Sequence, residues 1–335
     1  MKAQGGLKQS HRSASPLAAK HSHDRRRGGG TLFAIGCLVC GLCVIGWLGS
    51  GGGTHPGGQA AELSDWKVLA RLPLEQLSRV DLAEVNLLCA VGLTGADGVD
   101  IARCRRTLDE WAGHVRTETQ RNWHRYQANP AEFENSEGYF RMLIMAVVFY
   151  EDFHIRYNPN RMVSPATASP DDKFFADSRD VFLHGLLSPP HSGTCSSLPV
   201  LYAAVGRRLG YPLKLVTTKA HLFMRWEDGK ERFNMEATGK GMNRYDDAHF
   251  KQWPFPVSDE EIAWEHYLKS LSPAEELAVF LSLRGNCQKE AGAMEEAARS
   301  YAAACRLAPD WPAYRALLDA LERAPSLLQT ASTHR

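Results

Sequence analysis

The sequence changes its hydrophobic period between Gly193 and Glu236, and this change constrains the fold more than any other feature. In "GTCSSLPVLYAAVGRRLGYP" (193–212) apolar side chains recur at the 3.6-residue spacing of one helix face. The period then becomes two. "LKLVTT" (213–218) is typical of a strand, and "HLFMRWEDGKERFNME" (221–236) is typical of a hairpin with Asp-Gly at its tip. A helix followed by a small antiparallel sheet, in a chain that is otherwise helical, predicts an α+β fold.

The helix of this segment has a cysteine at its start. Pro199 has no N–H and fits the first turn, so we expect the helix to begin near Thr194–Ser196 and to end at Gly210 and Pro212. Cys195 would then lie among unpaired backbone N–H groups at the positive end of the helix dipole, which favours a thiolate. Cys195 is therefore a candidate nucleophile, and a small apolar residue at the edge of a core is the plainer alternative.

The hairpin places a carboxylate beside an imidazole. With a two-residue loop at the Asp-Gly tip, His221 lies opposite Glu236, and directly opposed Cβ atoms are about 4.5–5.5 Å apart. Alternatively, Glu236 pairs with Arg225 or Arg232, which share its predicted face. The other face is the one expected to be buried, and it carries Leu222, Met224, Trp226, Phe233 and Met235.

Cys195, His221 and Glu236 are the three groups that nucleophilic thiol chemistry requires. The thiolate attacks an acyl carbon, the imidazole moves the proton, and the carboxylate fixes the imidazole tautomer. Backbone N–H groups at the helix start would stabilise the oxyanion. His184 and His191 are alternative bases, on loop-like segments that precede the cysteine. A metal site made of the three residues is a further alternative, but their spacing matches no usual zinc pattern. We expect neither a metal nor a cofactor.

The quoted motifs resemble those of a known family. "GTCSSLPVLYAAVGRRLGYPLKLV", "HLFMRW" and "FNMEATGKG" are similar to the core of bacterial transglutaminase-like proteins, which belong to the papain-like cysteine superfamily. The family's Cys, His and Asp would fall on Cys195, His221 and Glu236. Glu replaces the commoner Asp, and Leu-Phe follows the histidine where Ala-Trp is typical. The resemblance covers residues 64–320.

The resemblance implies a papain-like core with a helical lead-in, and its activity would be cysteine-dependent acyl transfer. We expect hydrolysis of an amide or peptide bond rather than crosslinking, because water is abundant and no amine-acceptor site is evident. The substrate would be a peptide or a protein. The alternative is a catalytically inactive scaffold that binds an envelope partner.

The N-terminal part predicts a membrane anchor. A basic, Gly- and Ser-rich stretch (1–30) precedes an uncharged run (31–49), which spans about 28 Å as a helix, close to the hydrocarbon core of a bilayer. A buried core helix fits poorly, because the run is apolar all round, and a cleaved signal peptide is the stronger alternative. Residues 50–63 read as a flexible linker. We expect one pass through a bacterial inner membrane with the catalytic domain (64–270) on the periplasmic side. Signal cleavage would instead give a secreted protein.

The net charge and the cysteine pattern argue against a nucleic-acid-binding protein and against a cysteine-bound metal cluster. A net charge of +1 gives no support to nucleic-acid binding. Cys37, Cys40 and Cys43 spell C-x-x-C-x-x-C, but they lie inside the apolar run and no fourth ligand follows. Among the other five cysteines, Cys287 and Cys305 are the pair that we expect to be able to form a disulfide.

The last segment (271–335) predicts a helical tail. Small and aromatic residues have the spacing of one tetratricopeptide repeat, at Gly285, Gly292, Ala297, Tyr301, Ala304 and Pro309. One repeat is too short for a long binding groove, so we expect the tail to pack against the main domain, with a partner site as the alternative.

Two other stretches of the sequence carry side chains with an expected role. Asp177, Arg179 and Asp180 suggest a structural ion-pair network, and Trp253 could cover one side of the cleft.

Overall fold

The computed structural model of the chain describes residues 65–161 and 173–332, with side chains as far as residue 323. Three predicted segments lie outside these residues: the basic tail (1–30), the membrane anchor (31–49) and the linker (50–63). Within the described ranges, no helix combines the length and the apolar character that crossing a membrane requires.

Helices account for most of the described chain. In chain order they are α1 (Trp66–Leu69), α2 (Leu74–Leu77), α3 (Leu82–Ala90), α4 (Ile101–Ala128), α5 (Glu137–Val147), α6 (Leu183–Leu186), α7 (Leu198–Arg208), α8 (Asp247–Gln252), α9 (Asp259–Trp264), α10 (Pro273–Glu290), α11 (Met294–Leu307) and α12 (Pro312–Ser332). A π turn spans Val148–Asp152, and short 3₁₀ turns lie at Pro130–Phe133, Pro159–Arg161 and Ser178–Asp180.

Six strands form two small sheets. They are β1 (Arg156–Tyr157), β2 (Ser192–Gly193), β3 (Leu213–Thr218), β4 (His221–Glu227), β5 (Arg232–Met235) and β6 (Arg244–Tyr245). Strands β1 and β2 pair in parallel, and β3-β4-β5-β6 form an antiparallel sheet in that order. The α+β class predicted from the sequence is confirmed.

The β4–β5 hairpin has a register two residues away from the predicted one. Met224 pairs with Met235, and the loop between the strands has four residues, 228–231, instead of two. The Asp228 carboxylate accepts the backbone N–H groups of Lys230 and Glu231 and so closes the longer turn. The Glu231 carboxylate accepts the backbone N–H of Gly138, which holds the loop against α5.

A shift of two residues leaves every side chain on its predicted face, because side chains alternate with a period of two. The face expected to be buried is buried throughout. The prediction that only this face is buried is wrong, because α8 covers the other. There Phe223 stacks on Phe250 of α8 with ring centroids 3.7 Å apart, and Arg225 is 1% exposed.

The helical lead-in contains α3, whose start is fixed by a side-chain cap. Asp81 caps α3, because its carboxylate accepts the backbone N–H groups of Ala83 and Glu84. Helix α3 packs against both α7 and α10. The Arg284 guanidinium of α10 donates to the carbonyl oxygens of Cys89 and Val91 at the end of α3. The C-terminal helices therefore pack against the rest of the described chain, as expected.

Helices α10 and α11 approach closely at Gly285. A Cβ atom there would lie 2.3 Å from Cε1 of Tyr301, whose ring is fully buried. Gly285→Ala is therefore expected to destabilise the protein by about 1–3 kcal/mol, the usual range for overpacking. Gly113→Ala in α4 is the matched control, since nothing lies within 4 Å of its Cβ position. It should stabilise the helix by up to about 1 kcal/mol. Urea unfolding measures both, and an equal effect of the two changes would contradict the close approach.

The suggested Cys287–Cys305 disulfide does not form, and the five cysteines of the described ranges are free thiols. Cys287 is buried near Glu290 and Arg284 of its own helix, whereas Cys305 lies near Arg315 and Asp319 of α12. The two side chains therefore have different charged neighbours, and their sulfur atoms are not bonded.

Candidate active site

A turn fixed by buried hydroxyl groups holds Cys195 at the entry to α7. The Thr194 hydroxyl donates to the carbonyl oxygen of Asp180 over 2.7 Å and accepts the backbone N–H of Ser196 over 3.2 Å. The Ser197 hydroxyl accepts the backbone N–H of Thr194 over 3.1 Å. A Cβ on Gly193 would lie 2.4 Å from Ser197 Oγ, so this turn requires glycine there. The local sequence GTCSS thus builds the turn.

Helix α7 begins three residues after Cys195, so the predicted start was slightly early. The N–H of Leu198 already donates to the Thr194 carbonyl oxygen, and Pro199 lies in the first turn as expected. Cys195 therefore belongs to the turn before the helix. Because Thr194 already binds the Ser196 N–H, this group is not an unpaired oxyanion donor, contrary to the expectation for the helix start.

His221 and Glu236 lie together even though they are not directly opposed. His221 begins β4, where it pairs with Thr218 across the β3–β4 turn, and Glu236 follows the last residue of β5. The His221 Nε2 atom lies 2.7 Å from Glu236 Oε2. The other carboxylate oxygen, Oε1, accepts the backbone N–H of Thr238 over 2.7 Å, which fixes its orientation. Both residues are buried.

The thiol of Cys195 completes the group. It lies next to the His221 side chain and contributes to the raised pKa of that ring, and because Nε2 faces Glu236, Nδ1 is the ring nitrogen left for sulfur. The structure therefore brings together all three site residues predicted from the sequence. The imidazole bridges a nucleophilic atom and a carboxylate.

The environment of His221 favours its charged form. Burial lowers its pKa, but the hydrogen bonds to Cys195 and Glu236 and the negative charge of Glu236 outweigh burial and raise the pKa to about 9. At neutral pH the imidazole ring is therefore protonated on both nitrogens and positively charged. A charged imidazole beside a thiol is the arrangement that stabilises a thiolate.

The other described cysteines have environments that oppose ionisation. Burial raises the pKa of Cys89 and of Cys287 to about 12. It is also the main reason why the pKa values of Cys104 and Cys305 are raised. Cys195 is half-buried and has an imidazole partner, so among the described cysteines it has the surroundings of a nucleophile.

The alternative partners of Glu236 are bound elsewhere. The buried Arg225 guanidinium donates to Asp247 and Asn234, over 2.7 Å in each case, and Arg232 also reaches Asp247. This network joins β4 and β5 to α8. Because both arginines bind Asp247, Glu236 pairs with His221 instead.

The alternative bases lie apart from the thiol. His184 is buried beside the Ser178 hydroxyl, 3.2 Å away, and burial lowers its pKa to about 4. His191 has its Nδ1 2.8 Å from the carbonyl oxygen of Leu186. The structure thus associates His221, rather than either of these two, with Cys195.

The charged cluster before α6 is structural, as expected, and it supports the site. Arg179 pairs with Asp177, and Arg161 pairs with Asp180 over 2.8 Å. Asp180 also accepts a hydrogen bond from the Asn158 side chain over 2.6 Å. Since the Asp180 carbonyl oxygen binds Thr194, this cluster anchors the turn that carries Cys195.

Trp253 covers one side of the site, as the sequence suggested. Its ring meets the His221 ring edge to face, with centroids 4.7 Å apart, and it is 37% exposed. His249 stacks between Trp253 and Tyr245. These rings shield the imidazole from water on the side of α8.

Tyr157 is a site residue that the sequence did not reveal. Its hydroxyl lies against the backbone N–H of Cys195 and donates to the carbonyl oxygen of Arg161 over 3.0 Å. Burial, together with the nearby charges of Cys195 and Glu236, raises its pKa. Strand β1 pairs Tyr157 with Gly193, two residues before the cysteine. No local pattern predicts this pairing between distant segments.

The described residues contain no group of three or more His, Cys, Asp or Glu side chains arranged to hold a metal ion. In the triad, Nε2 of His221 is engaged by the carboxylate itself. Comparison with protein-family models, with curated proteins and with solved structures finds no match for this chain.

Proposed function

We propose that this protein is a cysteine-dependent acyl-transfer enzyme that hydrolyses an amide or peptide bond. The observation that carries the proposal is the His221 ring, which lies beside the Cys195 thiol, hydrogen-bonds the Glu236 carboxylate over 2.7 Å and has its pKa raised to about 9. The helix after the cysteine and the antiparallel sheet, in which β4 begins at the histidine, are consistent with a papain-like core of the transglutaminase-like type.

The chemistry divides into two steps. In the first, the Cys195 sulfur attacks the carbonyl carbon, the carbon–nitrogen bond breaks, and the His221 proton passes to the leaving amine. In the second, His221 accepts a proton from water, the resulting hydroxide attacks the thioester, and the carbon–sulfur bond breaks. The acid product leaves, and the thiolate–imidazolium pair is restored. Glu236 orients the ring and stabilises its charge throughout.

The surroundings of the turn fit a negative charge on the attacked oxygen. The backbone N–H of Cys195 and the Tyr157 hydroxyl are neighbours, and the proposed mechanism places the attacked carbonyl oxygen beside both. In the proposed mechanism the oxyanion accepts hydrogen bonds from these two donors, for which the Tyr157 hydroxyl turns away from Arg161.

Two further parts of the proposal concern the context of the enzyme. The apolar run at 31–49 would anchor the chain in a bacterial inner membrane, with the catalytic domain on the periplasmic side. The substrate would be a peptide or protein, and the C-terminal helices could bind a protein partner through their outer faces.

Labelling by a small fluorescent thioester probe tests the function. Wild type is expected to become acylated at Cys195, and Cys195→Ala is expected to lose the signal, because burial keeps the thiols of Cys89 and Cys287 protonated. His191→Asn is the matched control, since Asn tolerates the positive φ of 59° at this position. Mass spectrometry locates the acyl group. Equal labelling of wild type and Cys195→Ala would refute the proposal and favour an inactive scaffold.

A further inference from the structure

A narrow pocket lies next to the triad. Its volume is about 10 Å³, room for about one water molecule or one carboxylate oxygen; it opens to solvent and is lined by Tyr157, Leu198 and Ala237 among others. Tyr157 contacts the backbone N–H of Cys195, and Leu198 is the first residue of α7. Ala237 follows Glu236 in the chain. The pocket therefore borders the segments that carry Cys195 and Glu236.

Two cations meet in this pocket on one aromatic ring. The Arg156 guanidinium lies 3.6 Å from the centroid of the Tyr150 ring, and the Lys240 ammonium lies 4.9 Å from it. Both cations and Tyr150 line the pocket. Two positive charges that line one pocket raise its free energy unless an anion is near, because like charges repel each other.

The described residues supply no carboxylate partner for either cation. Arg156 donates to the backbone carbonyl oxygens of Tyr150 and Ile155, and no ion pair involves Arg156 or Lys240 within the described ranges. The nearest triad carboxylate, Glu236, is committed to His221 and to the Thr238 N–H. The pocket thus has positive charge and open space together.

We propose that this pocket is a substrate subsite for a carboxylate, so that the enzyme acts on peptides with an acidic group beside the reacting bond. The inference rests on the proposed function, since it assigns a substrate class to the same site. A guanidinium and an ammonium are the side chains that bind carboxylates most strongly. The pocket is narrow, which suits the end of an acidic side chain or a free terminal carboxylate better than a large ring.

Pairs of peptidyl acyloxymethyl ketones that differ only in charge test the subsite. One pair carries Glu or Gln at the residue next to the reactive ketone, and a second carries them one residue further away. A third pair has a leaving benzoate with an added carboxylate or its amide, which mimics a free terminus on the leaving side. The ratio of labelling rates at Cys195 is expected to favour the acidic member of at least one pair about tenfold. The pair that responds identifies the source of the carboxylate.

Substitution of the cations decides whether the pocket causes the preference. Lys240→Met should reduce the rate ratio several-fold and Lys240→Glu should reverse it. Arg156→Gln serves as the second variant, because Arg156 also binds backbone oxygens. Lys214→Met, which removes an exposed charge from β3, is the matched control and should leave the ratio unchanged.

The outcomes separate the two proposals. His221-dependent labelling without any charge preference, or with a preference that Lys240→Glu does not alter, would overturn the subsite and leave the proposed function intact. Labelling that does not depend on His221 would overturn the proposed function and the subsite with it.

Discussion

Replacement of His221 by Ala is expected to lower kcat/KM for amide hydrolysis about 10³-fold, within the 10²–10⁴-fold range of positioned proton-transfer groups. The variant loses both the proton for the leaving amine and the cation that stabilises the thiolate. The measurement is the rate of acyl-enzyme formation and of product release with a responsive amide probe. His191→Asn, which alters a histidine outside the triad, should retain activity within a few-fold. A comparable loss in that control would argue against a specific role for His221.

The pH dependence of activity is a second test of the proposed role of His221. Because the pKa of His221 is raised to about 9, the imidazolium persists through neutral pH and is lost as the pH rises through about 9. Activity should therefore fall on the alkaline side with a midpoint near pH 9. Removing the carboxylate in Glu236→Gln leaves burial as the main influence, so the midpoint should move to lower pH. Glu236→Asp should keep more of the activity than Glu236→Gln. A midpoint that does not respond to Glu236→Gln would contradict the coupling.

The same pair affects stability in a defined direction. A histidine whose folded-state pKa is above its ordinary value of about 6.5 stabilises the fold most below that value. The contribution is then lost as the pH rises toward about 9. The stability difference between wild type and Glu236→Gln should accordingly shrink above pH 9. Urea unfolding at several pH values measures this difference.

Replacement of Asp247 by Leu is expected to destabilise the protein by about 3 kcal/mol, at the lower end of the cost of leaving a buried charge unpaired. The side chain of Arg225 is 1% exposed, whereas that of Asp247 is 31% exposed. Arg225 keeps acceptors in Asn234 and the Leu268 carbonyl oxygen, which limits the loss. Urea unfolding of the full chain measures the change in the midpoint at constant slope.

The control for this change is Asp259→Ala. Asp259 pairs with Lys251 but its side chain is 86% exposed, so removing it should leave the unfolding midpoint almost unchanged. Although burial opposes ionisation, hydrogen bonding to Asn234 and the charges of Arg225 and Arg232 lower the pKa of Asp247. The stability that ionised Asp247 contributes to the fold is fully present above the ordinary carboxyl pKa of about 4. It is lost as the pH falls through the lowered pKa of Asp247. An equal loss in both variants would contradict a buried network at Arg225.

The β4–β5 hairpin shows which features a local sequence pattern can predict and which it cannot. The alternation of side chains in 221–236 places His221 and Glu236 on one face, whichever of the two registers is adopted. The register itself depends on Glu231, whose carboxylate binds α5, a helix more than 80 residues earlier. No hairpin rule contains that contact. The pairing of His221 with Glu236 was therefore predictable, although the directly opposed position was not.

The burial of Arg225, by contrast, could not be predicted from the local sequence. Its charge and its place on the face opposite the predicted apolar one suggest a solvent-facing residue, and pairing with Glu236 was one expectation. Helix α8 covers this face and supplies Asp247, which makes the arginine buried and paired. Burial of a face depends on which distant element packs on it, and the strand's own sequence does not specify this.

The sequence by itself determined the order of helix, strand and hairpin, the cysteine at the entry to α7, and the shared face of His221 and Glu236. These follow from backbone periods of 3.6 and two residues, which act over a few residues. The tertiary structure decided the hydroxyl-bonded turn before α7, the position of Tyr157 against the Cys195 N–H, and the two cations on Tyr150. Each of these joins segments that are far apart in the chain, and only the packing of the whole fold sets such distances.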